Sequence, residues 1–395
     1  MISVAEARAL MLASAAPCST VNVSLRSALA RSLREDVMAS RDQPPFRASA
    51  MDGYALRAID TPGPLRMIGE AGAGRALGRP LGVGECARIF TGAPLPAGAD
   101  SILIQEDAAR DGEIVTAPLV EKGRHVRSAG VDFKSGDRLL QAGALIDAAA
   151  IALAAAAGRA SLLVSRRPKI AVLSGGDELV SPGQSPGQDQ IFDSMSVGIA
   201  ALVEQWGGDA TGIGPLADRA PDIANAISEA IAAHDLTVIV GGASVGDHDH
   251  ARPAVRDLGG VFLFEKVALR PGKPSWFARI GGRLVLGLPG NPASAFVCAR
   301  LFLRPLIDQM CGRDPMMSAG VRKARTRAPL SANGSRETYV RAAPATDESG
   351  QAWVTAPARQ DSSLLSVFAG AQALIVRAPD APEAPAGALV DVLYP

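Results

Sequence analysis

From residue 169 onward, short apolar runs alternate with stretches of helical spacing, and this alternation limits the chain more than any other feature. Runs at 170–173, 236–240 and 284–288 read as strands. The first two are unbroken, as strands buried on both faces require. Residues 196–206, 221–233, 251–258 and 292–310 carry apolar side chains at helical spacing. Such a succession folds as an α/β layer with a mostly parallel sheet.

Three of these strands run into loops of one character: Ser174-Gly175-Gly176-Asp177-Glu178, Gly241 to His250, and Gly287-Leu288-Pro289-Gly290-Asn291-Pro292. Ligands of open α/β sheets bind outside the carboxyl ends of the strands. Glycine lets backbone approach a ligand closely, and exposed N–H groups cradle anions. The carboxylates in these loops are then candidates for metal ligation or acid/base work. Asn291-Pro292 opens the helix 292–310, whose positive end, with Ser294 in its first turn, suits a phosphate or is an ordinary cap. Lys266, Arg270 and Lys273 form a compact basic cluster on the rigid Arg270-Pro271-Gly272-Lys273-Pro274 turn. Solvated surface charge and phosphate binding both remain open for it. Asp247-His248-Asp249-His250 lacks a third nitrogen or sulfur ligand for zinc, the other histidines being His125 and His234. Its oxygen ligands favour magnesium.

The rest of the chain has a different texture. Residues 3–37 and 145–158 read as helical. Between them, short alternating runs at 65–68, 86–90, 101–104 and 113–115 predict a small β domain. After Pro315 the pattern is β again, at 337–341, 352–355, 373–377 and 389–393, with an Asn333-Gly334 turn. The expected organisation is a helical N-terminal domain (1–43 and 140–166), an inserted β domain (44–139), an α/β domain (167–314) and a C-terminal β domain (315–395). On physical grounds alone, the loops 44–55 and 91–100 of the insertion are surface turns.

Composition removes several alternatives. The 395 residues balance 40 basic against 40 acidic groups, which leaves no overall case for nucleic-acid or membrane-surface binding. With 48% hydrophobic residues, a large core is available and global disorder is excluded. Cys18, Cys86, Cys298 and Cys311 form no CxxC pair, which argues against a disulfide framework or structural zinc. No apolar run approaches the roughly 18–20 residues of a membrane span. Ser3-Val4-Ala5-Glu6 spells a capping box rather than a signal peptide, so a cytoplasmic location is expected. There is no P-loop sequence and no GxSxG elbow.

Taken together, certain segments resemble the molybdopterin molybdenumtransferase family, the MoeA proteins and the gephyrin E domain. They are PPFRASAMDGYAL (44–56), TGAPLPAGAD followed by QED (91–107), GRHVRSAGVDFKSGD (123–137), VLSGGDEL (172–179), GGASVGDHDH (241–250), LRPGKP (269–274) and LGLPGNPASA (286–295). The resemblance implies a four-part chain that forms homodimers. Its α/β domain is similar to the molybdopterin-binding, adenylyltransferase-like fold, and its C-terminal domain is β-barrel-like. It implies insertion of molybdenum from molybdate into adenylylated molybdopterin, with magnesium-dependent release of AMP. It also implies handover to other molybdenum-cofactor enzymes and apo-molybdoenzymes.

By match to the family's motifs, Asp52, Thr91, Asp132, Glu178, Asp249, Lys266, Arg270, Lys273, Pro289 and Pro292 line the site. Asp52, Glu178, Asp249, Lys266 and Arg270 are the catalytic candidates, and Glu178 and Asp249 the magnesium ligands. Gly175, Gly176, Ser244, Gly246, Gly290, Asn291 and Ser294 complete the substrate loops, and Ser366 matches from the C-terminal domain. The chain departs from the family at Arg270, where Lys is usual, at Val131, Gly175 and Met195, and in the 246–250 run. The alternatives are the adenylyltransferase that makes the substrate, against which the β insertion and β tail argue, and a non-catalytic molybdopterin-binding scaffold.

Overall fold

A computed structural model describes residues 1–241 and 250–394. The α/β unit is built on a six-stranded sheet. Its order is Asp209–Leu216, Lys169–Gly175, Leu236–Val240, Arg283–Leu288, Trp276–Ile280, Val261–Phe264. The first four strands are parallel, Trp276–Ile280 runs against them, and Val261–Phe264 is antiparallel to Trp276–Ile280. Every residue of Leu236–Val240 is buried, as its unbroken apolar run requires. One face packs Met195–Gln205 and the helical stretch from Pro292 to Met310, and the other packs Ala220–Ala233 and Ala251–Asp257. The long helix is continuous but passes through one π-helical stretch at Ala299–Leu303.

Three strands are additions to the sequence reading: the two edges, Asp209–Leu216 and Val261–Phe264, and Trp276–Ile280 beside the second edge. The first contains Gly212, Gly214 and Pro215 and has no fully buried residue, so it lacks the apolar run of a central strand.

The N-terminal expectation needs correction. The capping box forms: the Ser3 side chain accepts from the Glu6 N–H, and the Glu6 carboxylate accepts from the Ser3 N–H. The helix is only Val4–Ser14, however, and its buried side chains Val4, Ala7 and Met11 join the α/β core rather than residues 140–166. Pro17 and the Thr20–Ser24 run, rich in β-branched and polar residues, end it. Thr20–Ser24 is a strand paired with Ser161–Ser165, and Val37–Met38 pairs with Arg138–Leu140. The leucine spacing at 25, 29 and 33 mimics a helix in an irregular segment that buries Leu33.

The segment between those pairings forms a second six-stranded sheet. Its order is Ser101–Ile104, Gly53–Leu56, Glu85–Ile89, Gly63–Ala71, Ile114–Ala117, Ala109–Asp111. At the C-terminus, Arg322–Thr326, Ala352–Thr355, Glu337–Thr346, Ala373–Arg377 and Leu389–Leu393 close into a ring. Leu269–Arg270 from the α/β unit pairs with Glu337 and Thr338 at its edge. Asn333-Gly334 is not a hairpin turn. The Asn333 amide donates to the carbonyls of Arg336, Arg377 and Ala378, and its oxygen accepts from Thr338, so this residue ties a loop together.

Candidate functional site

Parallel register brings the three glycine-rich strand ends to one edge of the sheet. A Cβ on Gly241 would lie 3.3 Å from the Gly175 carbonyl oxygen, and one on Gly290 would lie 3.4 Å from the Gly241 Cα. Backbone from three separate loops is therefore in van der Waals contact there. The Gly241 N–H donates to the Leu288 carbonyl, and the Gly176 N–H to that of Leu216. Glu178 folds back so that its carboxylate covers the Cα of Gly176, and it remains exposed. Asp193, 3% exposed, braces this loop. It accepts from the Ser174 hydroxyl at 2.5 Å and from the Ser196 hydroxyl at 2.6 Å.

The basic loop reaches the same edge. Trp276 pairs opposite Gly287 and Phe264 opposite Phe277, so the segment between Phe264 and Trp276 turns at the carboxyl ends of the parallel strands. The Val267 N–H donates to the Lys273 carbonyl, closing a turn on which Lys266, Arg270 and Lys273 are all exposed. Gly272, at φ +116°, packs so tightly that a Cβ would overlap the Cys298 sulfur of the long helix. Arg252, 7% exposed, bonds the carbonyls of Glu265 and Pro274 at both ends of the loop. Sequence reasoning missed this strut, because nothing local marks a buried arginine at a helix start.

The start of the long helix differs from expectation. Asn291 occupies the cap position, but its side chain makes no capping bond and donates to the Ser362 hydroxyl at 3.2 Å. The Ala293 N–H donates to the Ser362 carbonyl, and Ser294 is buried. The first-turn groups expected to meet a phosphate are thus engaged or turned inward, while Pro289 is buried and Gly290 and Asn291 are exposed. Phe296 stacks on Phe368 at 4.8 Å, which brings the exposed Ser366, on Leu365–Ala369, into this neighbourhood. Ser362 was also missed; its only local signal is a serine-rich turn.

A second cluster lies on the inserted sheet. Asp52 Oδ1 accepts from both the Thr91 N–H and the Thr91 hydroxyl, each at 2.8 Å. Those two bonds, the backbone one first, hold the Asp52 carboxyl below the usual carboxylate range, and the charge of Arg88 adds to them. The turn depends on Gly53, where a Cβ would overlap the Leu103 carbonyl of the neighbouring strand. Asp132 is exposed on a separate loop whose N–H groups bond the Gln43 and Pro44 carbonyls. Among the described residues, no hydrogen bond or ion pair joins Asp52, Thr91 or Asp132 to the parallel-sheet cluster. Ser244, Gly246 and Asp249 lie outside the described residues, as do Asp247 and His248. Among the described residues no group of three His, Cys, Asp or Glu side chains could hold a metal, and no helix is long and apolar enough to cross a membrane.

Comparison with known proteins covers nearly the whole chain. Residues 2–158 match the profile of the MoeA N-terminal region (domain I and II). Residues 171–309 match that of a probable molybdopterin binding domain, and residues 323–394 that of the MoeA C-terminal region (domain IV). The chain is 36% identical over 331 residues to a molybdopterin molybdenumtransferase of Nostoc sp., covering 80% of this chain and 76% of that protein. It is 32% identical over 381 residues to the Haemophilus influenzae protein of that name, covering 95% and 94%. The crystal structure of a molybdopterin biosynthesis MoeA protein from Pyrococcus horikoshii superposes with a TM-score of 0.85. That pair is 28% identical and covers 100% of this chain and 99% of the other. Sequence, domain order and fold agree: the chain belongs to the molybdopterin molybdenumtransferase (MoeA) family.

Proposed function

We propose that this protein is a transferase of molybdenum-cofactor biosynthesis that inserts molybdenum from molybdate into adenylylated molybdopterin and releases AMP. Family membership and relatives named for that activity support the transferase reading. The observation that carries the site is the convergence of Gly175, Gly241 and Gly290 at one sheet edge. An exposed carboxylate at Glu178 flanks it, and the Lys266–Lys273 turn reaches the same edge.

At that edge the absence of side chains at Gly175, Gly241 and Gly290 admits a flat, anionic substrate close to the sheet. Lys266, Arg270 and Lys273 supply cationic donors for molybdate or phosphate oxygens. The Arg270 guanidinium offers a planar fork where the family usually has a point charge. Ser366 and the exposed Asn291 border the same neighbourhood. In the second cluster, Thr91 keeps Asp52 ionised and oriented, so that Asp52 can accept a proton from an attacking molybdate oxygen or water. Asp132 stands with that cluster by the family resemblance.

The oxygen donors suit magnesium, which takes one or two carboxylates and completes its shell from substrate phosphate and water. Glu178 is exposed and makes no hydrogen bond through its carboxylate among the described residues, so it fits that role. Asp249 is its partner by the family resemblance. When bound, magnesium supplies neutralising charge to the phosphate oxygens. The active form is a homodimer in the cytoplasm, handing its product to other molybdenum-cofactor enzymes and apo-molybdoenzymes.

The deciding experiment incubates the protein with adenylylated molybdopterin and follows AMP. Release that needs both molybdate and magnesium is expected. A requirement for ATP with formation of pyrophosphate would make the protein an adenylyltransferase, and binding without turnover would make it a scaffold. Glu178→Gln and Asp249→Asn should each lower AMP release by at least about a hundredfold. The melting temperature of each should stay near that of the wild type, because loop carboxylates at strand ends serve ligands rather than the core.

A further inference from the structure

Arg88 lies on Glu85–Ile89, beside the Asp52 turn, and no family motif quoted above contains it. Its guanidinium lies over two rings, 5.2 Å from the centroid of Tyr54 and 5.0 Å from that of Phe90. Its two terminal nitrogens diverge. Nη1 donates to the Gly53 carbonyl at 3.2 Å, and Nη2 to the Gln105 side-chain oxygen at 2.5 Å. The Gln105 N–H in turn donates to the Asp52 carbonyl at 3.1 Å. These bonds close a ring through Asp52, Gly53, Arg88 and Gln105. Thr91 takes Asp52 Oδ1 twice, and among the described residues Oδ2 accepts no hydrogen bond.

We propose that Arg88 is a positioning residue: it clamps the turn that carries Asp52 and leaves one carboxylate oxygen, Oδ2, presented in a fixed direction for the reaction. The arrangement uses the features that distinguish arginine from lysine. A planar group can pack over aromatic faces while its fork reaches two acceptors on different segments. A solvated surface cation would need neither ring and neither acceptor.

Several charged groups sit on the elements packed around Asp52. Besides Arg88, they are Glu106 and Asp107 on Gln105–Asp107, and Arg124 and His125 on the adjoining turn. Glu106 accepts from the Gln105 amide, Arg124 pairs with Asp107 at 3.5 Å, and the Arg124 Nε donates to His125. Arg88 is the charge whose field reaches Asp52, and it acts in the same direction as the Thr91 bonds.

The inference rests on the proposed reaction only for the claim that Asp52 serves it. The test therefore has two arms, run on the full-length protein as wild type, Arg88→Gln and Arg88→Lys. The first follows Asp52 by carbon-13 carboxyl NMR against pH, its resonance assigned by its loss in Asp52→Asn. Asp52 should titrate at higher pH in Arg88→Gln and return toward the wild-type position in Arg88→Lys, which restores the charge.

The second arm follows AMP release against pH. In Arg88→Gln the plateau should fall by about a hundredfold, the scale of a misplaced catalytic group. Its acid limb should move to higher pH, because a carboxylate that loses a favourable cation ionises later. Arg88→Lys should recover the limb but only part of the plateau, since a single ammonium nitrogen lacks the fork that reaches Gly53 and Gln105 while packing over both rings. The proposal is overturned if Asp52 titrates alike in all three proteins. A plateau that falls together with the melting temperature while the limb stays put would overturn it too, by making Arg88 merely structural. If the wild type releases no AMP, the transferase reading fails, and the Asp52 titration still decides whether Arg88 governs that carboxylate.

Discussion

The two candidate clusters are built by different means. At the edge of the parallel sheet, geometry comes from backbone. Strand register fixes where the loops end, glycines let them touch, and the candidate side chains Glu178, Lys266, Arg270 and Lys273 stand exposed on that frame. On the inserted sheet, geometry comes from side chains. Asp52 is aimed by Thr91, and its turn is clamped by Arg88 and Gln105. Topology alone makes the first cluster converge, as in any open α/β sheet. The second holds only while a few specific hydrogen bonds do, so single substitutions should disorganise it more readily. Within one chain, the described residues form no hydrogen bond or ion pair between the clusters.

That separation gives the largest expected effect. If Asp52 and Glu178 serve one reaction from opposite subunits of a homodimer, each active site draws on two chains. Asp52→Asn and Glu178→Gln should each be inactive alone. After subunit exchange, a mixed dimer has one site carrying both lesions and one carrying neither. Random equal mixing makes about half the dimers mixed, so roughly a quarter of all sites should recover AMP release. If each site came from a single chain, every site would carry one lesion and none would recover. An inert mixture, with exchange confirmed by differently tagged subunits, would break the comparison at its base.

The same contrast explains what could be read from the sequence. Leu236–Val240 is the strand its apolar run announces, and the loops after 173, 240 and 288 meet as the strand-end rule requires. Those features are local or follow from topology. Residues 15–37 misled because leucines four apart suit a helix, whereas strand pairing with Ser161–Ser165 was decided by residues far away in the chain. The Asn291 cap was legible as a position but not as a bond, since the competing acceptor is Ser362, 71 residues on. On the inserted sheet, the family resemblance supplied Asp52 and Thr91, and their own chemistry suggested only turns. Arg88 was invisible: its rings and acceptors come from three segments that no periodicity connects.

A smaller effect probes how rigid the backbone-built cluster is. Gly272 combines φ +116° with close contact to Cys298 and Leu269, so an alanine there is strained and overlaps the helix. Gly272→Ala should lower stability by about 1–3 kcal/mol, the scale of overpacking in a dense interior. It should also weaken molybdate binding through the displaced Arg270 and Lys273. Paired chemical denaturation and equilibrium binding measure both. Loss of stability with unchanged binding would show that the cationic turn adapts freely, and would remove rigidity as the difference between the clusters.

The smallest effect concerns Arg270, the exposed cation that replaces the family's usual lysine. Its backbone is fixed by pairing with Thr338 and by the packed glycine two residues on, while its side chain is free in solvent. An exposed charge of this kind acts through space, and its contribution should fade as salt shortens the screening length from about 10 Å at 0.1 M to about 3 Å at 1 M. Arg270→Ala should therefore weaken molybdate or nucleotide binding at low salt and converge on the wild type at high salt. Arg270→Lys should keep most of the affinity, because the charge stays in place and only the planar fork is lost. Binding by calorimetry across a salt series separates the contributions. If Arg270→Ala binds both ligands as the wild type does at low salt, the Arg270 side chain is solvated surface, and the parallel-sheet cluster binds its anion without it.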